Sequence, residues 1–207
     1  PQNQLELINA VAQMNKELIV VVSAGSVVEM PWIKKAKAVL HGYLGGQAGA
    51  SAMLDVITGK VNPSGKLNET YPICYEDTPA YAYYPGKERN SEYREGVYVG
   101  YRYYDTVKKE VLFPFGFGLS YTDFSYSNLK LSDNGVRFCI TNVGKIAGAE
   151  IAQLYIEKEN PAVFRPVHEL KGFCKVFVQP GETKEVEISF EDRTFTYFNV
   201  QTGKWEI

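Results

Sequence analysis

The hydrophobic period changes once along this 207-residue chain, and the change dictates two different architectures. Before the stretch Phe113-Pro-Phe-Gly-Phe-Gly-Leu-Ser-Tyr-Thr122, apolar residues come in short solid runs or at helical spacing; beyond it they alternate with polar ones. Solid β-branched runs belong to strands covered on both faces, whereas strict alternation belongs to strands with one wet face. One sheet cannot satisfy both patterns, so the chain is expected to divide.

In the first part, Leu5, Ile8, Val11 and Ala12 fall on one face of a helix spanning residues 4–14. Leu18 to Ser23 follows as an apolar run without alternation, and Ala36 to Leu40 is a second one beyond the Met30-Pro31-Trp32 turn. Both are expected to be buried parallel strands. Gly45-Gly46 is expected to open a helix that runs to Ile57 and stops at Gly59. Helix, strand, helix and strand in that order is the signature of an α/β fold.

In the last part, residues 125–131, 136–141, 149–156, 169–178 and 184–190 alternate with period two. Turn signals separate them at Asp133-Asn134-Gly135, Asn142-Val143-Gly144 and Gln179-Pro180-Gly181. Five or six short strands in residues 124–207 point to an antiparallel sandwich of the fibronectin III or immunoglobulin type. The expected domains are therefore 1–122, a partial α/β sandwich domain, and 123–207, a fibronectin III-like domain.

Between them, residues 61–117 are rich in Pro and Tyr and lack periodicity. Ten of the chain's 15 tyrosines lie between Tyr71 and Tyr104. Tyr suits half-wet surfaces because its ring is apolar and its hydroxyl is not, so a contact surface is expected there.

Several function classes drop out. A net charge of −2 with pI ≈ 5.8 offers no footprint for nucleic acid or an anionic membrane. The longest apolar run, Leu18 to Val22, is far too short to span a bilayer. Cys74, Cys139 and Cys174 are odd in number and widely spaced, and the two histidines, His41 and His168, lie far apart. Neither a disulfide framework nor a metal site is suggested, and three free thiols lean slightly towards a reducing compartment, the cytoplasm. Gly45-Gly46-Gln47-Ala48-Gly49 lacks the spacing of a dinucleotide loop, so it reads as close helix packing.

Carboxylates remain as candidates for acid–base or nucleophilic work: Glu69, Glu76, Asp77, Glu92 and Glu95. Sequence alone cannot pair them, and Glu92 with Arg94 or Glu95 with Arg102 reads equally well as a salt bridge.

Three motifs occur in order: Val61-Asn-Pro-Ser-Gly-Lys-Leu67 with Tyr71-Pro72, Tyr93-Arg-Glu-Gly-Val-Tyr-Val-Gly-Tyr-Arg-Tyr-Tyr-Asp105, and Phe113 to Thr122. Together they resemble the C-terminal half of glycoside hydrolase family 3. Residues 141–155 and Arg165-Pro-Val-His-Glu-Leu-Lys-Gly-Phe173 look like that family's fibronectin III-like domain. The resemblance implies a retaining exo-β-glycosidase, β-glucosidase or β-xylosidase in type, without metal or organic cofactor, acting on β-linked oligosaccharides or glycosides. It also implies that the nucleophilic aspartate lies in an N-terminal barrel domain. The acid/base glutamate would sit in a Glu-Gly-x-Asp-Arg motif upstream of residue 1.

No catalytic residue is therefore carried over to this chain, which is expected to be an inactive fragment. It would lack the first α/β strands and the last fibronectin-like strand, and would be prone to self-association through open edges. On this reading the Tyr-rich segment docks onto the barrel, with Tyr93, Glu95, Tyr98, Tyr101 and Arg102 as candidates. Two alternatives are a non-catalytic carbohydrate-binding or scaffolding module and, on the Gly45-Gly46 loop alone, a nucleotide-binding protein. The length of the parent reading frame separates the first from the fragment.

Overall fold

A computed structural model describes residues 1–86 and 89–207. Lys87 and Glu88, inside the Tyr-rich segment 61–117, lie outside the described residues. Contacts divide the chain into two units: residues 1–61, 69–94 and 110–114, and residues 62–68, 95–109 and 115–207.

The first unit is α/β. Helix α1 (Gln2–Met14) leads to β1 (Ile19–Val22), which pairs in parallel with β2 (Ala38–His41), Ile19 opposite Ala38 and Val22 opposite His41. The expected face of α1 is the one turned inward: Leu5, Ile8, Val11 and Ala12 are half-buried, while Leu7 and Met14 are exposed. Lys35 Nζ donates to Asn9 Oδ1 at 2.5 Å, tying the short 3-10 turn at Ile33–Lys35 to this helix. Helix α2 (Gly49–Ile57) follows, and β3 (Tyr71–Pro72) pairs antiparallel with β4 (Val111–Phe113). Met30, Trp32 and Tyr71 are the deeply buried apolar side chains of this unit.

Two expectations need correcting. The β1 run is covered on one side only: Ile19 and Val21 remain 48% and 43% exposed, while Val20 and Val22 are half-buried. Two strands leave the outer residues of a β-branched run without a covering layer. Helix α2 begins at Gly49, not at Gly45-Gly46, because Gly46 takes φ +60, a left-handed conformation that cannot begin a right-handed helix.

The second unit is a β-sandwich. Strands β5 (Phe124–Ser132), β6 (Gly135–Asn142) and β9 (Thr183–Ser189) form one antiparallel sheet in the order β5-β6-β9. Strands β7 (Gly148–Ile156) and β8 (Glu169–Val178) form the other. All five coincide with the alternating runs. Val136, Phe138, Ile140, Val186 and Ile188 point inward from the first sheet and meet Ala152 and Val178 of the second. At the general scale of ~1.5–3 kcal/mol per large buried side chain, this cluster is the principal apolar contribution to the unit.

Two elements of this unit lie outside the five alternating runs. Helix α3 (Tyr101–Val107) is only seven residues long and rich in Tyr, Thr and Val, poor helix formers whose pattern masks it. A closing hairpin, β10 (Tyr197–Asn199) with β11 (Lys204–Glu206), ends the chain's strands.

One end of the sandwich is fastened by two asparagines. Asn142 is fully buried and makes four side-chain hydrogen bonds. Its Oδ1 accepts from Thr122 Oγ1 (2.7 Å) and Gly144 N (3.1 Å), and its Nδ2 donates to Ile146 O (2.8 Å) and Val178 O (3.0 Å). Asn62 Nδ2 donates to Ala147 O at 3.1 Å, and its Oδ1 accepts from Ser120 Oγ and Tyr121 N at 2.9 and 2.8 Å. Gly148 permits this approach, since a Cβ there would lie 2.4 Å from Asn62 Nδ2. Lys66 then pairs with Glu150 (3.2 Å) and donates to Gly118 O (2.9 Å). The motif Val61 to Leu67 thus contributes scaffold to the sandwich.

Replacing Asn142 with Ala strands buried donors and acceptors on β8 and the 143–146 turn, so we expect a loss of about 3 kcal/mol in urea denaturation. Asn62→Ala, at a half-buried position, should cost about 1–2 kcal/mol. A smaller effect for Asn142 than for Asn62 would contradict this ordering.

Candidate functional site

In a parallel α/β sheet, ligand-bearing groups collect beyond the carboxyl ends of the strands. The first unit has such a cluster. His41 closes β2, Tyr43 follows it, and their rings meet at 3.8 Å in an edge arrangement; Tyr71 stands 5.9 Å from His41. Tyr43 N donates to His41 Nδ1 at 3.3 Å, which leaves the ring proton on Nε2. That Nε2 is buried without a hydrogen-bond partner among the described residues. Glu69 Oε2 accepts from Val27 N at 3.1 Å, in the loop that follows β1.

Burial holds the His41 imidazole below its ordinary pKa, with the Glu69 carboxylate pulling weakly the other way. The ring is therefore neutral at pH 7. Burial pushes Tyr71 up to about 12, reinforced by Tyr43 and Glu69. A neutral imidazole, the Tyr71 phenol and a Glu69 carboxylate bonded to the backbone can bind and orient a polar group.

A second polar cluster lies in the β-sandwich unit. Arg165 Nε and Nη2 both donate to Glu169 Oε1, at 2.9 and 2.5 Å, and Lys171 Nζ lies 3.0 Å from Glu169 Oε2. The three side chains are only 11%, 16% and 15% exposed. Burial alone pushes the Glu169 carboxyl up, but the bonds from Lys171 and Arg165 outweigh it and the net pKa is lowered. Nearby, His168 Nδ1 is 3.3 Å from Asp105 Oδ2.

The five docking candidates fall in different surroundings. Tyr93 belongs to the first unit and is 83% exposed. Glu95, Tyr98, Tyr101 and Arg102 belong to the second. Glu95 O accepts from Tyr98 N at 2.9 Å. Tyr98 stacks on Phe164 at 5.1 Å, and Arg102 leans over the Tyr101 ring at 6.0 Å. Tyr101 accepts from Leu170 N at 2.8 Å and packs against Phe115 and Tyr155, anchoring α3 to β8. Of the carboxylates, Glu92 pairs with Arg94 as expected, and Glu76 and Asp77 sit in a 3-10 turn at Tyr75–Asp77.

Residues 1–121 match the glycosyl hydrolase family 3 C-terminal domain, and residues 150–207 match a fibronectin type III-like domain. The chain belongs to glycosyl hydrolase family 3. This family 3 chain is 51% identical to thermostable beta-glucosidase B of Acetivibrio thermocellus, with all of the chain and 28% of that protein aligned. It is 42% identical to an exo-alpha-(1->6)-L-arabinopyranosidase of Bifidobacterium breve, again over the whole chain and 28% of the relative. The crystal structure of a family 3 beta-glucosidase from Bifidobacterium adolescentis superposes with TM-score 0.94 at 46% identity, covering 99% of this chain and 31% of that one. The fold is accordingly an α/β domain of the family 3 C-terminal type with a fibronectin III-like sandwich, and the chain spans under a third of the length of these relatives.

The sequence reading set His41 aside as too far from His168 to share a metal, and took Arg165, Glu169 and Lys171 only as part of the stretch resembling the fibronectin III-like domain, so it gave neither cluster a role. The Arg165-Glu169 spacing, four residues across a strand entry, gives no periodic signal.

Because the folded-state pKa of Glu169 is depressed, its contribution is present above the unfolded carboxyl value of ~4.3 and is lost as pH falls through the lower folded value. Glu169→Gln should therefore be less stable than the parent chain at pH 7, with the gap closing below about pH 4. Thermal melts across pH 3–7 test this; a gap independent of pH would refute the assignment.

Proposed function

We propose that this chain is the C-terminal part of a retaining exo-β-glycosidase of β-glucosidase type, and that it does not turn over substrate by itself. The supporting observation is full-length alignment of the chain with under a third of each β-glucosidase relative. Among the described residues, the His41 pKa is lowered by burial, and Glu69 and Glu169 are bonded within their own units. The nucleophile and the acid/base carboxylate belong to the remainder of the parent enzyme, whose N-terminal barrel is the partner of this chain. Tyr93, Glu95, Tyr98, Tyr101 and Arg102 belong to the surface that packs against it, with Tyr93 as the most exposed contact and Tyr101 supporting α3 from within.

The sugar is a terminal β-linked residue, glucose being favoured by the names of most relatives. A relative of 42% identity named as an arabinopyranosidase shows that sugar choice varies while this portion of the chain stays recognisable.

The purified 207-residue chain should leave an aryl β-glucoside and an aryl β-xyloside unhydrolysed above background. Turnover that vanishes on Glu69→Gln or Glu95→Gln would overturn the proposal and place a catalytic carboxylate here. Exposed strand edges and apolar side chains, Leu129 and Leu131 at 75% and 76% among them, should also make the chain associate with itself at high concentration. Static light scattering reporting a monomer throughout would contradict that.

A further inference from the structure

Tyr43 adopts φ +47, a left-handed conformation that a residue with a Cβ keeps only where its surroundings hold it. Two hydrogen bonds hold its backbone. Its N–H donates to His41 Nδ1 at 3.3 Å, and its carbonyl accepts from Ser23 Oγ, also at 3.3 Å. Ser23 directly follows β1 and His41 closes β2, so both restraints come from the carboxyl ends of the parallel pair. They fix the β2–α2 connection, residues 42–48, which is folded tightly onto α2: a Cβ at Gly45 would lie 2.8 Å from Gly49 Cα.

One of the two restraints depends on a proton. Nδ1 accepts from the Tyr43 N–H only while it carries no proton of its own. Since Nε2 holds the first proton, a second goes to Nδ1, and two N–H groups then point at each other. The imidazolium would also carry its charge where Nε2 is buried without a hydrogen-bond partner among the described residues. The titratable groups facing the ring, among the described residues, are Tyr43 from the connection itself, Tyr71 from β3 and Glu69 just before β3. Tyr71, pushed up to about 12 chiefly by burial, stays neutral through the acid range. The Glu69 carboxylate favours the charged ring, but burial outweighs it and the His41 pKa is lowered. The bond to Tyr43 is therefore complete above the unfolded imidazole value of ~6.5 and is lost as pH falls through the lower folded value.

We propose that His41 is an acid-sensitive clasp on the β2–α2 connection. Neutral, it holds Tyr43 in its left-handed turn through Nδ1; protonated, it releases Tyr43, and residues 42–48 loosen at the end of the sheet where an α/β fold gathers its ligands.

The test is amide exchange by NMR on the 207-residue chain, with each rate divided by the intrinsic rate at the same pH. Between about pH 7.5 and about pH 4.5, protection of the Tyr43 N–H should fall roughly tenfold, the order set by one hydrogen bond. The Gly42 N–H, which donates to Val22 O at 2.8 Å, should keep its protection. His41→Asn, whose amide oxygen takes the place of Nδ1 without titrating, should hold Tyr43 at both pH values; His41→Leu should leave it open at both. Glu69→Gln should move the midpoint to lower pH, and His168→Gln, at the chain's other histidine, should change nothing. Tyr43 protection independent of pH would overturn the proposal, as would the same fall in His41→Asn. A fall shared by Gly42 would mean that the whole unit opens, which equally overturns a local clasp. Exchange is read without turnover, so failure here leaves the reading of the chain as part of a β-glycosidase standing.

Discussion

A single buried amide organises the sandwich. Asn142 occupies the last position of β6, where the strand ends and its backbone partners run out. In an apolar interior each unmatched peptide group costs on the order of 1–3 kcal/mol. By accepting from Thr122 and Gly144 and donating to Ile146 and Val178, Asn142 satisfies groups on the strand entry before β5, the β6–β7 turn and the end of β8 at once. No apolar residue of similar size could replace it without stranding several of those groups. The Phe138, Ile140 and Val178 packing fills the core, but it is the amide that sets where the two sheets begin relative to each other.

Asn62 repeats the device from outside the sandwich sequence. Asn62, Ser120 and Tyr121 all come from the segment matched to the α/β domain of the family, yet they belong with Ala147 to the β-sandwich unit. Lys66 continues the connection to Glu150, and the Glu150 carboxylate also accepts from the Tyr126 hydroxyl. The fibronectin-like match begins at residue 150, but the contacts that close this end of the sandwich begin at residue 62. Sequence modules and folding units are therefore different objects here. A sandwich cut at residue 123 would retain Ile140 and Val178 and lose the Asn62 amide that donates to Ala147 O and the Lys66 partner of Glu150.

What the sequence disclosed followed from periodicity. The alternation of Val136, Phe138 and Ile140 placed β6 within a residue of its true limits, and Leu5, Ile8, Val11 and Ala12 named the inward face of α1. Periodicity failed where structure rests on polar contacts or on few residues. Helix α3 is defined by Gly100 and Lys108 at positive φ on its two ends and by the Tyr101 hydroxyl on Leu170 N, none of which leaves a repeating apolar trace. The candidate clusters were hidden for the same reason: His41 and Glu69 are 28 residues apart, and Glu169 gains its lowered pKa from neighbours that alternation alone would read as solvent-facing.

The same contrast explains why the family motifs in this chain are poor guides to chemistry and good guides to scaffold. Asn62, Lys66, Ser120 and Thr122 come from two of the three motifs that carry the family resemblance, and each makes a hydrogen bond within the β-sandwich unit. Tyr101, from the remaining motif, does likewise. A polar side chain that satisfies buried backbone groups is confined in type and position as tightly as a catalytic one, because its length and its donor–acceptor pattern must both match. Unused capacity lies outside that lattice: the buried His41 Nε2 and Tyr98 hydroxyl have no hydrogen-bond partner among the described residues, and the Phe164 ring is exposed. In this fold, function is to be sought among side chains whose hydrogen-bonding or apolar capacity the chain leaves unused.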